Sequence, residues 1–257
     1  MKPNKKSITA LPLLMVILTL TISSFYWLGE IFSYSQNIDL KRAEHLKTDF
    51  IFSGGTIDIS TNKESFAEFK SQYSKPNWKA EVKLDSLNQR LNIHQPTEKN
   101  TSVNNRDKND WKIKIPNNLE TDFNINIGGG AGNLDLSNSK VKSIEFDAGG
   151  GSFNLNLSNS TVSNLKANLG GGALEVDLSG KHDKEIKAKV NLGAGSIKLV
   201  LPIRSGIRVK VGGMAMVSKG GLKKQGGYYV NELYGKASNN IEVEVTNGAG
   251  AVELKLK

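Results

Sequence analysis

Three glycine triplets recur at one interval: Gly128-Gly129-Gly130, Gly149-Gly150-Gly151 and Gly170-Gly171-Gly172, with 21 residues from each start to the next (149 − 128 and 170 − 149). Gly193-Ala194-Gly195, Gly212-Gly213 and Gly248-Ala249-Gly250 echo the triplet, and Gly54-Gly55 precedes it. A fixed period of this size marks a stack of short units, none able to bury its apolar face alone. Counted from each first glycine, Leu134 and Leu136, Leu155 and Leu157, and Val176 and Leu178 share offsets. Ile144, Phe146 and Ala148 likewise match Leu165, Ala167 and Leu169. Period-two alternation puts each set on one face of a strand. Glycine at the junctions permits sharp corners without a Cβ clash. Each period then makes one coil of two strands and two turns, and coils stack about 4.8 Å apart. The expected fold is all-β, a single-stranded β-solenoid of about six or seven coils.

Residues 7–29 carry no charge. As a helix this run would span about 34 Å, enough for a bilayer core of about 30 Å. Lys2, Lys5 and Lys6 precede it and Tyr26 and Trp27 close it, which predicts a cytoplasmic N-terminus and an extracytoplasmic body. A cleaved signal peptide, cut after the small residues Thr21 and Ser23, is the alternative. Cysteine is absent, so neither disulfides nor a thiol nucleophile is available. The expected organisation is a Lys-rich start and membrane anchor at 1–29, a polar juxtamembrane stalk at 30–46, an N-terminal β cap of hairpins at 47–110, and solenoid repeats at 111–257. Pro76-Asn77 reads as a hairpin turn, and 95–102 as a polar break between cap and repeats. Ile241 to Leu256 is expected to close the stack.

Residues 50–257 resemble the bacterial toast-rack family, whose members include cell-wall-active antibiotic response proteins and candidate adhesins. The resemblance rests on Ser53-Gly54-Gly55-Thr56-Ile57-Asp58-Ile59-Ser60, the Gly-x-Gly-x-Leu-x-Leu-Ser rungs, Tyr229-Val230-Asn231-Glu232-Leu233-Tyr234-Gly235, and the ending Ile241 to Leu254. It implies a β-solenoid at the bacterial envelope, often tethered to a membrane, and carries no catalytic residues over.

Several chemistries fail on their requirements. A phosphate loop needs a strand running into a helix and a Lys-Ser or Lys-Thr pair, which the triplets lack. A calcium roll needs Asp at its sixth position, where this chain has Leu134. His45, His94 and His182 are the only histidines, none near a nucleophile elbow or at zinc spacing. No cofactor or metal is expected. Asp135 and Asp177 share one offset two coils apart, about 9.6 Å by strand spacing, which leaves a polysaccharide-active enzyme as a remote reading.

Charge is more telling. The chain carries a formal +9, and eleven basic residues stand against Asp183 and Glu185 between Lys181 and Lys224. Lys166, Lys189 and Arg208 fall four residues before corner glycines, which predicts a cationic ladder. With Lys210 they form the candidate anion-contact strip. Like charges on adjacent strands repel, so an anionic partner is expected: phosphate-bearing wall polymer or lipid headgroups, not nucleic acid, with membrane proteins as further partners. A solvated face tuned for solubility remains the alternative. The expected function is a non-enzymatic, membrane-anchored envelope protein that binds or senses wall or membrane components in an envelope-stress response. Self-association end to end through exposed terminal strands stays open beside it.

Overall fold

The computed structural model describes residues 30–40, 43–96 and 107–257. The anchor expected at 7–29 and most of the polar break lie outside these residues. Among the described residues no helix is long and apolar enough to cross a membrane.

The protein is all-β. Its strands are β1 (Phe32–Asp39), β2 (His45–Phe52), β3 (Gly55–Asn62), β4 (Phe66–Tyr73), β5 (Glu81–Asp85), β6 (Arg90–His94), β7 (Asn109–Pro116), β8 (Glu120–Ile127) and β9 (Gly130–Asp135). They continue as β10 (Val141–Ala148), β11 (Gly151–Asn156), β12 (Asn164–Asp177), β13 (Ile186–Leu201), β14 (Gly206–Ser218), β15 (Lys223–Gln225), β16 (Tyr228–Val230) and β17 (Asn240–Leu256). Parallel pairing builds two faces. The strands before the glycine corners run β6-β2-β8-β10-β12-β13-β17-β14. Those after the corners run β7-β3-β9-β11-β12-β13-β17-β14. β12, β13, β14 and β17 pass through the corner unbroken and serve both faces. The result is a solenoid-like stack of eight layers.

Register explains the core. Phe146 pairs with Ile125 on one side and Ala167 on the other, and Ala167 continues to Val190 and Val245. All five are buried, so inward positions form continuous apolar rows. Burying each large side chain contributes roughly 1.5–3 kcal/mol. The far corner of each coil turns on Asn138, Asn159 or Gly180, at φ 53°, 54° and 89°. There the Ser139 and Ser160 hydroxyls donate to the carbonyls of Leu136 and Leu157.

The first corner is governed by close backbone approach. Gly55, Gly130, Gly151, Gly172, Gly195 and Gly250 form a column with φ between 118° and 137°. A Cβ on any of them would collide with the carbonyl oxygen of the neighbouring layer. Gly128, Gly149, Gly170, Gly193 and Gly248 form a second column with the same obstruction. The middle position is different: a Cβ on Gly171 would sit 3.6 Å from the nearest atom, the Ala194 oxygen. That difference accounts for Gly-Ala-Gly at 193–195 and 248–250.

Four expectations need correction. Residues 32–39 are not a stalk: β1 pairs with β4 along its whole length, from Phe32 opposite Tyr73 to Asp39 opposite Phe66. Its alternation of Phe32, Tyr34 and Ile38 with polar residues is that of an edge strand. Phe32 stacks on Tyr73 at 5.7 Å between ring centroids, and Tyr34 tilts against Phe69 at 5.9 Å. Nor is 47–110 a separate cap, because β2 and β3 form a full layer between β6/β7 and β8/β9. Only β1, β4 and β5 cover that end, antiparallel to their neighbours. Pro76-Asn77 opens a 3-10 turn (Pro76–Trp78) that buries Trp78, instead of closing a hairpin. Finally, β17 does not close the stack; it inserts between β13 and β14, and the antiparallel pair β16 and β15 lies outside β14.

The two glycine environments give a direct test. Gly172→Ala is expected to cost more than about 3 kcal/mol, from strain at positive φ and collision with the Gly151 carbonyl. Gly171→Ala is expected to lie within about 1 kcal/mol of the parent, because less backbone freedom is lost on folding. Urea denaturation of both variants measures the difference; equal costs would refute the close-approach account.

Candidate functional site

The outward side chains of the pre-corner face form three rows. One runs Asp49, Asn124, Glu145, Lys166, Lys189, Glu244, Lys210. The next runs Lys47, Asp122, Ser143, Asn164, Lys187, Glu242, Arg208. The third, nearest the glycine corner, holds Asn126, Asp147, Asn168, Asn191 and Thr246. In it the Asn168 amide donates to Asp147 at 2.5 Å and the Asn191 amide to Asn168 at 2.7 Å.

Lys166 and Lys189 share a row as the spacing predicts, but the residue that continues it is Lys210, and Arg208, expected in that ladder, stands one row away. A bulge between Gly213 and Met214 shifts β14, so counting back from Gly212 misplaces the arginine. The ladder is also not purely cationic. Lys166 donates to Glu145, which holds its ammonium above the usual lysine range. Glu244 separates Lys189 from Lys210, and Glu242 separates Lys187 from Arg208. Among the described residues, Lys189 and Lys210 form no ion pair. A shallow trough of about 580 Å³ runs across these rows, lined by Glu145, Lys166, Lys187, Lys189, Glu242 and Glu244.

Arg208 is the most engaged of the four candidates. Its guanidinium donates to Glu242 at 2.7 Å and lies 5.1 Å from the Tyr228 ring centroid and 4.9 Å from that of Tyr234. The Tyr234 hydroxyl donates to the same Glu242 oxygen at 2.6 Å. The Tyr234 bond above all holds the Glu242 carboxyl below its ordinary range; burial opposes it, and the bond and charge of Arg208 add to the lowering. Tyr228, Tyr234 and Glu242 escaped the sequence reading of this site. The glutamates carried a signal: Glu242 and Glu244 precede Gly248 by the same six and four residues by which Lys187 and Lys189 precede Gly193.

The paired aspartates are occupied in turns. Asp135 accepts from the Ser137 amide at 3.3 Å and the Asn156 side chain at 3.0 Å. Asp177 accepts from the Ser179 amide at 2.7 Å and pairs with Lys257 at 3.6 Å. His45 bridges Glu120 and Asp122 across the β2–β8 pair, and buried His182 places its two ring nitrogens against the Ser160 and Leu178 carbonyls. The described residues hold no cluster of three metal-ligating side chains.

A stack of parallel β-layers with antiparallel strands at both ends and polar ladders outside defines a solenoid-like all-β protein. The chain belongs to the toast-rack family: the model for the N-terminal domain of toast_rack matches residues 29–161 and 144–200. Among solved structures, a candidate cell adhesion protein from Clostridium sporogenes ATCC 15579 is 27% identical, with a TM-score of 0.70 over 89% of this chain and 100% of that one. A candidate adhesin from Bacteroides fragilis NCTC 9343 is 13% identical, covers 88% of this chain and 98% of that one, and has a TM-score of 0.37, too low to carry an argument. No curated protein sequence matches the chain at a significant level.

The tyrosine bond makes a pH prediction. Because the folded pKa of Glu242 is depressed, the stability it contributes is present above its ordinary value of 4.5 and is lost as pH falls through the lower folded value. Tyr234→Phe is expected to move the Glu242 titration upward and shrink that loss on the acid side. Carbon-detected NMR titration of the carboxyl measures it, and an unmoved midpoint would show that Tyr234 does not set it.

Proposed function

We propose that this protein is a non-enzymatic binding protein of the bacterial envelope, held at a membrane by residues 7–29 with the β stack on the extracytoplasmic side. The stack is a single-stranded β-solenoid in its middle layers, where chain order and layer order agree. Family membership and the full-length likeness to a candidate cell adhesion protein support a binding role. The turn duties of Asp135 and Asp177 weigh against the polysaccharide-active reading.

The observation that carries the partner assignment is the outward row of β12, β13 and β14. Lys189 and Lys210 present ammonium groups with no ion-pair partner among the described residues, beside a trough in which Lys166 is paired with Glu145 and Glu242 with Arg208. Those two lysines, with Lys166 at the edge, contact an anionic wall polymer or anionic lipid in the envelope. Arg208 braces the tyrosines behind them. Surface charge of this kind steers and selects an anionic surface more than it adds affinity. The double variant K189Q/K210Q, which removes the two charges without setting carboxylates against Glu244, is expected to lose salt-sensitive binding to anionic wall polymer while nearly keeping the parent's thermal midpoint, since exposed cross-strand charges contribute little. Undiminished binding would refute the strip.

A second reading, self-association, has its own observation. Residues 214–218 of β14 pair only with β17, so their outer edge is open among the described residues. Met214 and Met216 on that strand are 83% and 77% exposed. Open edges of this kind template strand pairing with another chain. If this edge joins copies, light scattering of the parent shows oligomers that a proline at Met216 abolishes; a monomer at high concentration removes the reading.

A further inference from the structure

The insertion of β17 leaves a recess that no repeat motif announces. The chain leaves β13 at Leu201 and enters β14 at Gly206, but β17 lies between those strands. The link 202–205 therefore arches over both ends of β17. It is pinned there: the Lys257 amide donates to Leu201 at 2.9 Å, Ile203 to Lys257 at 3.1 Å, and Gly206 to Asn239 at 3.1 Å. On the other side stands the far corner of the β12 coil, residues 180–183. That corner is braced by the His182 ring and by a bond from the Asn239 amide to the His182 carbonyl. Between arch and corner is a recess of about 640 Å³.

We propose that this recess binds a phosphate group. Its lining brings together Lys181, Arg204 and Lys257 from three separate stretches of chain, with Asp183 as the one carboxylate side chain among the lining residues. Arg204 forms no ion pair among the described residues. Lys181 pairs with Asp183 at 3.1 Å, where both side chains are more than three-quarters exposed, and Lys257 reaches Asp177 at 3.6 Å. The solvent-facing Lys181–Asp183 pair is worth little and yields readily to a more highly charged anion, and the exposed Lys257 ammonium stands at a loose distance from a largely buried Asp177. Ser205 and Ser238 add hydroxyl groups to the lining, beside Asn239, whose amide braces the His182 carbonyl. Ser205 and Asn239 are buried, which fixes their positions.

The donor set fits phosphate better than carboxylate. A guanidinium fork binds two phosphate oxygens side by side, and ammonium groups supply point charges around a tetrahedral anion. Pro202 and Ile203, the latter 55% exposed, offer an apolar wall to the carbon chain of a phosphate ester. The site is thus suited to a polyol phosphate, whether from a wall polymer or a lipid headgroup. This deepens the anionic-partner reading above and rests on it for the kind of ligand, but the residues are different ones.

Isothermal titration calorimetry on the full chain in non-ionic detergent micelles tests it. Three probes are used: a soluble glycerol-phosphate oligomer, phosphatidylglycerol dispersed in the same detergent, and a uronate oligomer of equal length. The parent is expected to bind a phosphate probe at least tenfold more tightly than the uronate. R204A/K181A, which alters two exposed side chains, is expected to lose at least tenfold in that affinity, while K189Q/K210Q keeps it. Heat from the soluble oligomer assigns the phosphate to a polymer; heat from phosphatidylglycerol alone assigns it to a lipid. Loss in K189Q/K210Q with none in R204A/K181A would overturn the recess and leave the strip standing. Absence of binding by the parent, or equal binding of the uronate, would overturn the phosphate assignment.

Discussion

Everything in this protein hangs on the contact between peptide groups at the first corner of each coil. There the carbonyl oxygen of one layer occupies the space that a side chain of the next would need, so the outer two corner residues are glycine in layer after layer. The absence of Cβ lets the chain bend sharply while both strands keep their ladder bonds. Register follows directly, since aligned corners align every inward and outward residue on both sides. Continuous apolar rows inside and polar rows outside are consequences of that alignment. Slipping one layer by a single residue would turn its apolar set outward.

Layer order and chain order part company at both ends, with physical benefits. β2 and β3 lie inside β6 and β7, and β17 lies inside β14, so early and late strands of the body are paired on both sides. Antiparallel strands cover the outer layers in turn, β1, β4 and β5 at one end and β15 and β16 at the other, where they protect the first part of β14 and leave residues 214–218 open. Electrostatics favours the placement of β17. Directly adjacent in matching register, β13 and β14 would set Lys187 against Arg208 and Lys189 against Lys210. With β17 between them, Glu242 and Glu244 separate those pairs. On the other face Lys198 has Glu175 on one side and Glu253 on the other. Opposite charges on adjacent strands stabilise pairing and like charges oppose it.

The same insertion reshapes the functional surface. It turns a window of sequence with a large basic surplus into a face on which several lysines and Arg208 stand beside glutamates. It also forces the link 202–205 into an arch, which creates the recess holding Arg204. Arg208 is drawn into a bracket of two tyrosines and a glutamate, where it serves the structure; Lys189 and Lys210 are left to face solvent.

The glycine period by itself determined the all-β class, the corners, the inward residues such as Leu155 and Phe146, and the row shared by Lys166 and Lys189; that Lys210 and not Arg208 extends it was decided by the shifted register of β14. These depend on local backbone sterics and period-two alternation, which are written in consecutive residues. β1 was equally local, but its polar outward residues masked an apolar set of period two. Which layer neighbours which was decided only in three dimensions. A parallel ladder accepts any strand of matching register, and Gly248-Ala249-Gly250 fits beside Gly193-Ala194-Gly195 although it starts 55 positions later in the chain (248 − 193). The choice rests on packing and charge across strands far apart in the chain, and from it come the paired glutamates, the tyrosine bracket and the basic recess.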